Sequence, residues 1–192
     1  MQVLGGEKIK KVSIQGQIGL TLIELLIVLT ILSLLVGGTI ISWNLFFKKN
    51  QATVTIDKVY MLLTYAKAKS YQSRLPVIVC SSVDNKTCID GLWQNQLLVF
   101  IDHNANKRFD GDDKLINHHL RLPKGFILRW QGFPRGNYLQ FKPVSLLSSS
   151  NGTLTLCHKD KNDTVSRALI ISKSAMIRYA ETKNDKKQLA CA

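Results

Sequence analysis

Acidic residues are scarce in this sequence. Thirteen Asp and Glu stand against 26 Lys and Arg in 192 residues, a formal net charge of +13. From Lys114 to Lys159 there are seven Lys or Arg and no Asp or Glu. A surplus of that size favours anionic partners over cationic ones. The marks of catalysis are missing as well. There is no nucleophilic-serine motif, no glycine-rich phosphate loop and no His-x-x-x-His pair, and each of those chemistries needs its residues at a set spacing. His103, His118, His119 and His158 are scattered and read as solvated loop residues; the adjacent pair 118 and 119 would point to opposite faces of a strand. No Cys-x-x-Cys spacing supports zinc, and there is no internal repeat or low-complexity segment. The reading is of a non-enzyme that needs no cofactor.

Charge is nearly absent from one long stretch. Leu20–Phe47 spans 28 residues with Glu24 as its sole charged side chain. As a helix it would extend about 42 Å at ~1.5 Å per residue, more than the ~30 Å hydrocarbon core of a bilayer. Gly37-Gly38 interrupts it and Lys48-Lys49 closes it. A secretory signal has a shorter apolar core, about 7–15 residues, ending at a small-residue cleavage site; no Ala-x-Ala-like site closes this one. Residues 1–19 carry Glu7, Lys8, Lys10 and Lys11, a net +2, so that end is expected in the cytoplasm and the long remainder outside it. A carboxylate within such a helix costs roughly 2.5–3.5 kcal/mol, which makes Glu24 a functional candidate.

The order of a short basic leader, Gly19, the apolar Leu20, Thr21-Leu22-Ile23-Glu24 and an apolar helix resembles the signature of type IV prepilins and type II secretion pseudopilins. The resemblance implies cleavage between Gly19 and Leu20 by a prepilin peptidase, and N-methylation of Leu20. It also implies that Glu24 faces the N-terminal amine of a neighbouring subunit. An amine and a carboxylate that meet in an apolar bundle offset each other's desolvation. Implied partners are other pilins in a helical filament, the peptidase and an inner-membrane assembly platform. The expected organisation is a leader (1–19), a transmembrane and filament-core helix (20–47) and a periplasmic globular domain (48–192). Removing the leader would lower the net charge from +13 to +11.

Past Lys48 the helix is expected to continue to about Ser73. Ala52, Ile56, Val59, Leu63, Ala66 and Ser70 fall at alternating steps of four and three, the spacing of one buried stripe. After Pro76 seven short β-type runs follow: 77–80, 97–101, 126–130, 138–141, 153–157, 168–172 and 176–179, separated by Asp-Gly, Pro-Lys-Gly, Pro-Arg-Gly and Asn-Gly turn signals. The fold class is α+β, a long N-terminal helix packed on antiparallel sheets. All four cysteines, Cys80, Cys88, Cys157 and Cys191, lie in the outer part, where disulfides persist. Three pairings are open; the expected one joins Cys80 to Cys88 across a short loop and Cys157 to Cys191 at the tail. Ile78-Val79-Cys80-Ser81-Ser82, Cys88, Trp93, Leu98-Val99-Phe100-Ile101-Asp102 with its Asn-rich turn, Phe141-Lys142-Pro143 and Asn151-Gly152-Thr153-Leu154-Thr155-Leu156-Cys157 follow in an order that is similar to the GspH/FimT branch of minor pilins and pseudopilins. That branch contains subunits of the secretion pseudopilus and of the type IV pilus.

Two further sites are candidates. In the window 102–113, Asp102, Asn104, Asn106, Asp110 and Asp113 fall at positions 1, 3, 5, 9 and 12, as in a calcium loop. Lys107 stands where glycine makes that loop's sharp turn, Asp113 replaces the longer glutamate, and Asn and Asp also favour plain turns; the expectation is no metal. The second is the basic surface, where Phe126, Trp130, Phe133, Tyr138 and Phe141 lie among the cations and phosphate chains would bind in a salt-sensitive way. The FimT subgroup is associated with capture of double-stranded DNA in natural transformation through a C-terminal Gly-Arg-x-Arg element. Here that element falls on Ala175-Met176-Ile177-Arg178, which keeps the final Arg. The alternative function is therefore a DNA-uptake pilin, with Lys173, Arg178, Arg167, Lys142 and Arg135 as the contacts.

Overall fold

The structure, a computed structural model, describes residues 21–84, 86–89, 93, 96–133, 138–143, 150–160, 165–181 and 189–191; the side chains of 36–42 and 117–119 lie outside that description. The chain divides into two compact units, Met1–Ser42 and Trp43–Ala192. In the first, the described residues from Leu22 onward belong to helix α1 (Leu22–Ser73).

In the second unit, α1 is amphipathic. Ala52, Ile56, Val59, Leu63, Ala66 and Ser70 are all fully buried, as the steps of four and three require. Each large apolar member contributes about 1.5–3 kcal/mol by leaving water. The helix stops for a local reason. Arg74 takes φ 58°, in the left-handed region, and Pro76 disfavours helical backbone at Leu75. The Ser70 hydroxyl then donates to Leu75 O (3.0 Å) and Phe141 O (3.1 Å), tying the helix end to the sheet.

Eight strands follow: β1 (Val77–Ser82), β2 (Gln96–Ile101), β3 (Lys114–Arg121), β4 (Phe126–Phe133), β5 (Tyr138–Phe141), β6 (Asn151–His158), β7 (Arg167–Ile171) and β8 (Ile177–Tyr179). They form two four-stranded antiparallel sheets, in orders β3-β2-β1-β5 and β4-β6-β7-β8. Every residue of β1 and β2 is buried. Val77, Val79, Leu97 and Val99 join the main core with the α1 stripe. Ile78, Cys80, Leu98 and Phe100 face the other way and are covered by Cys88, Phe109 and Tyr138. Trp93, almost fully buried, bridges to Leu128 of β4 through N–H···O bonds of 3.1 and 2.8 Å. The segment between β1 and β2 is thereby attached to the second sheet.

Seven strands lie where the sequence places them, within three residues at each end. β3 is the correction. Lys-Leu-Ile-Asn-His-His-Leu-Arg is too polar to read as a strand, yet it pairs along β2 through two register shifts. His118 and His119 accordingly sit on a strand and not in a loop. β3 is an edge strand, where polar and charged residues are tolerated and discourage further pairing.

Candidate functional site

Helix α1 begins with a capping arrangement that the sequence reading missed. The Glu24 N–H lies 3.1 Å from Thr21 O and 3.4 Å from Thr21 Oγ1. Thr21 precedes the first helical residue and Glu24 sits in the first turn, the spacing of a capping box. The Thr-x-x-Glu pattern is a visible signal for it. A carboxylate there also faces the positive end of the helix dipole. Leu22 is 79% exposed, Ile23 62% and Leu34 78%, so apolar surface on this helix awaits a cover. The Thr30 and Ser33 hydroxyls donate to Ile27 O and Thr30 O, each at 2.8 Å, and need no water. Among the described residues no helix is long and apolar enough to cross a membrane. The apolar run of the sequence includes Leu20 and the side chains of 36–42, which lie outside them. Gly19, the other half of the expected cleavage site, also lies outside the described residues.

The 102–113 loop folds around its own side chains. Asp102 is fully buried and accepts the N–H groups of Asn106 (3.1 Å) and Lys107 (3.0 Å). Burial raises its carboxyl above the ordinary value, and the Lys107 N–H opposes the rise. Asp110 accepts from the Asn104 amide (3.1 Å) and the Asn106 amide (2.6 Å), which lower its pKa in that order of weight. Asp113 accepts from the His103 N–H (2.9 Å) and the Asp110 N–H (3.1 Å). Ala105 and Lys107 take φ 58° and 65°. The oxygens that resemble calcium ligands thus serve as turn acceptors. Among the described residues no group of three His, Cys, Asp or Glu is placed to hold a metal ion.

The basic residues separate by location. Lys173 and Arg178 share one hairpin, β7–β8. Its turn is closed by Ser172 N–H to Met176 O and Ala175 N–H to Ser172 O, each 2.9 Å. Ala175 takes φ 55°, where glycine would be unstrained. Arg178 lies opposite Ile170 and donates to Tyr179 O at 3.2 Å. Its neighbour Tyr179 turns to α1, stacking on Tyr60 at 5.1 Å and donating to Asp57 at 2.9 Å. Burial, then that carboxylate, push the Tyr179 phenol up to about 12. Arg167 is at the far end of β7 and donates to Ser166 O at 2.8 Å. Lys142 follows β5 on the other sheet. Arg135 lies outside the described residues. The five DNA candidates therefore do not form one cluster: two are brought together, and two others are kept apart.

Two disulfides brace these elements. Cys80–Cys88 spans 5.6 Å between Cα atoms and Cys157–Cys191 spans 5.7 Å. Asp84 accepts the Lys86 and Thr87 N–H groups, both at 2.9 Å, which hold its carboxyl well below the usual range and shape the first loop. Leu189 O accepts from Ser166 Oγ at 2.7 Å beside the second.

Comparison with known proteins follows the same lines. A family model for type II transport protein GspH matches residues 55–175, more than half of the chain. A prokaryotic N-terminal methylation motif matches residues 14–40, which include Gly19, Leu20 and Glu24. None of the curated proteins compared with the chain matches it. Among solved structures, the type IV minor pilin FimU of Pseudomonas aeruginosa is similar, with a TM-score of 0.53 at 13% identity over 72% of this chain and 95% of that one. The minor pseudopilin EpsH from the type 2 secretion system of Vibrio cholerae gives 0.49 at 13% identity, over 69% and 98%. The FimU likeness speaks for the fold, a helix with antiparallel sheets. With more than half of its length matched by the family model, a methylation motif at the head of α1 and a pilin-like fold, the chain belongs to the GspH family of type II transport proteins.

Proposed function

We propose that the chain is a minor structural subunit of a type II secretion pseudopilus or a type IV pilus, and not an enzyme. In this reading a prepilin peptidase cuts between Gly19 and Leu20, and Leu20 becomes the methylated N-terminus. Leu20–Phe47 holds the subunit in the inner membrane, N-terminus to the cytoplasm and the 48–192 domain in the periplasm, until the assembly platform draws it into a filament. The observation that carries the reading is the exposed apolar start of α1, with Glu24 as its single charge and a capping geometry at its head. Such a surface needs lipid or other helices around it, and Glu24 needs a cation. Replacing Glu24 with Ala should leave membrane insertion intact and abolish most incorporation into filaments, scored by shearing and immunoblotting. Wild-type incorporation of Glu24→Ala would overturn the reading.

A second reading, DNA capture for uptake, draws support from the shared hairpin of Lys173 and Arg178. Met176, just before β8, is 62% exposed, and Lys173 and Arg178 are exposed as well. Charge reversal at Lys173 and Arg178 should weaken duplex retention at moderate salt about tenfold or more. Unchanged retention across a salt series would remove this reading.

A further inference from the structure

Where the chain crosses from the first sheet to the second, a cavity of about 560 Å3 opens at the corner. Three cations from two well-separated parts of the chain line it: Arg121 at the end of β3, Lys124 in the β3–β4 turn, and Lys159 just beyond β6. Gln96, 6% exposed, also lines it, its amide donating to Val83 O at 3.0 Å. Among the described residues lining the cavity there is no carboxylate.

The local backbone is built to bring these charges together. The Phe126 N–H closes on Pro123 O at 3.1 Å, and the Lys159 N–H donates to Gly125 O at 2.8 Å. Gly125 takes φ 89°, and a Cβ there would come within 2.9 Å of His158 Nε2. Glycine thus lets the β3–β4 turn close on the end of β6, and Lys124 is set beside Lys159. Like charges held near one another repel unless an anion intervenes.

The position of the cavity indicates which anion. Pro123 also lines a second cavity, about 420 Å3, shared with Phe47, Gln51, Val54 and Lys58 of α1. Lys48 pairs with Asp160, next to Lys159, at 2.6 Å. The cations therefore gather towards the end of the second unit that begins at Trp43. There Trp43, Phe46 and Phe47 are exposed and in mutual ring contact, and Lys48-Lys49 follow. Aromatic rings followed by lysines are the arrangement of a membrane–water boundary.

We propose that the corner cavity binds the phosphate of an anionic phospholipid headgroup through Arg121, Lys124 and Lys159. This rests on the reading that Trp43 stands at a membrane surface. The guanidinium offers paired donors to two phosphate oxygens, and the ammonium groups add point charge. A cavity of this volume takes one small group, whereas a duplex needs a track of cations along its backbone. Drawing the subunit out of the membrane would then have to break this headgroup contact.

The test uses the full chain in a neutral detergent, titrated by native mass spectrometry with phosphatidylglycerol, phosphatidylcholine or inorganic phosphate. Phosphatidylglycerol should bind about tenfold or more tightly than phosphatidylcholine. The triple variant Arg121→Gln/Lys124→Gln/Lys159→Gln should lose on the order of 100-fold. Lys124→Arg/Lys159→Arg should retain binding. A control with the same charge change elsewhere, Lys67→Gln/Lys69→Gln/Lys114→Gln, should lose little. Equal binding of the two lipids, or equal loss in the control, overturns the site. Inorganic phosphate binding at the three cations as tightly as phosphatidylglycerol assigns the cavity to free phosphate and overturns the lipid. Duplex DNA displacing the lipid from these residues at moderate salt would do the same. Membrane fractionation of the wild type separates the two claims: a membrane-bound chain without lipid discrimination loses only the site, and a chain absent from membranes loses the anchoring reading.

Discussion

Removing the Cys157–Cys191 bridge tests how the C-terminal tail is held. Cys157 lies in β6 and Cys191 two residues past Leu189, whose carbonyl accepts the Ser166 hydroxyl. The bridge closes a separation of 34 residues, and Cys80–Cys88 closes one of 8. Loop-closure entropy then assigns about 3.8 kcal/mol to the first and about 2.5 kcal/mol to the second, as upper values. For a unit of this size about 1 kcal/mol moves the melting midpoint by roughly 2–4 °C. Cys157→Ala/Cys191→Ala should therefore lower it by about 8–15 °C, and Cys80→Ala/Cys88→Ala by about 5–10 °C before any loss of packing at the fully buried Cys80. The assay is near-ultraviolet circular dichroism on heating the full chain, which follows the loss of fixed packing around the buried Trp93 and the other rings of the globular unit. The test is cleanest against reductant: wild type under reduction should fall to the level of the combined variants. A tail variant that melts at the wild-type temperature would refute the role given to this closure.

Two further outcomes follow from the packing of α1. Leu63→Ala, at the centre of the buried stripe, should cost about 2–5 kcal/mol, read as a lower denaturant midpoint. Met61→Ala, two residues away and 68% exposed, should stay within about 0.5 kcal/mol, and equal losses would contradict the assigned helix face. Tyr179 should ionise near pH 12 in an absorbance titration of its phenolate, and Asp57→Asn should bring that value down. Because its folded pKa lies above the unfolded value, its contact with Asp57 supports the fold fully below about pH 10 and is lost as pH rises through the folded value. A Tyr179 titration left unchanged by Asp57→Asn would refute the contact.

The separation between what was legible and what was not follows the range of each interaction. The face of α1 repeats along the sequence, so Ala52 through Ser70 could be placed on one stripe before any partner was known. The head of the helix is equally local: Gly19, Leu20 and Glu24 stand within six residues. Strong alternation or short apolar runs between turn residues marked seven strands. β3 was not legible because its residues are polar and its strand state comes from the edge of β2. The calcium-like spacing was visible, but only the backbone shows Asp102, Asp110 and Asp113 spending their oxygens on N–H and amide donors of the same loop.

The sequence by itself determined the apolar head with its single carboxylate, the basic balance, the helix face and the strands between turns, since each depends on residues a few places apart. The tertiary structure decided which cations become neighbours. It put Lys173 and Arg178 on one hairpin, sent Arg167 and Lys142 elsewhere, and brought Lys159 beside Arg121 and Lys124. The hairpin pair is close in the chain, but Lys159 meets Arg121 and Lys124 only through strand pairing and the close approach at Gly125, which join residues far apart in the chain, where no local pattern records them.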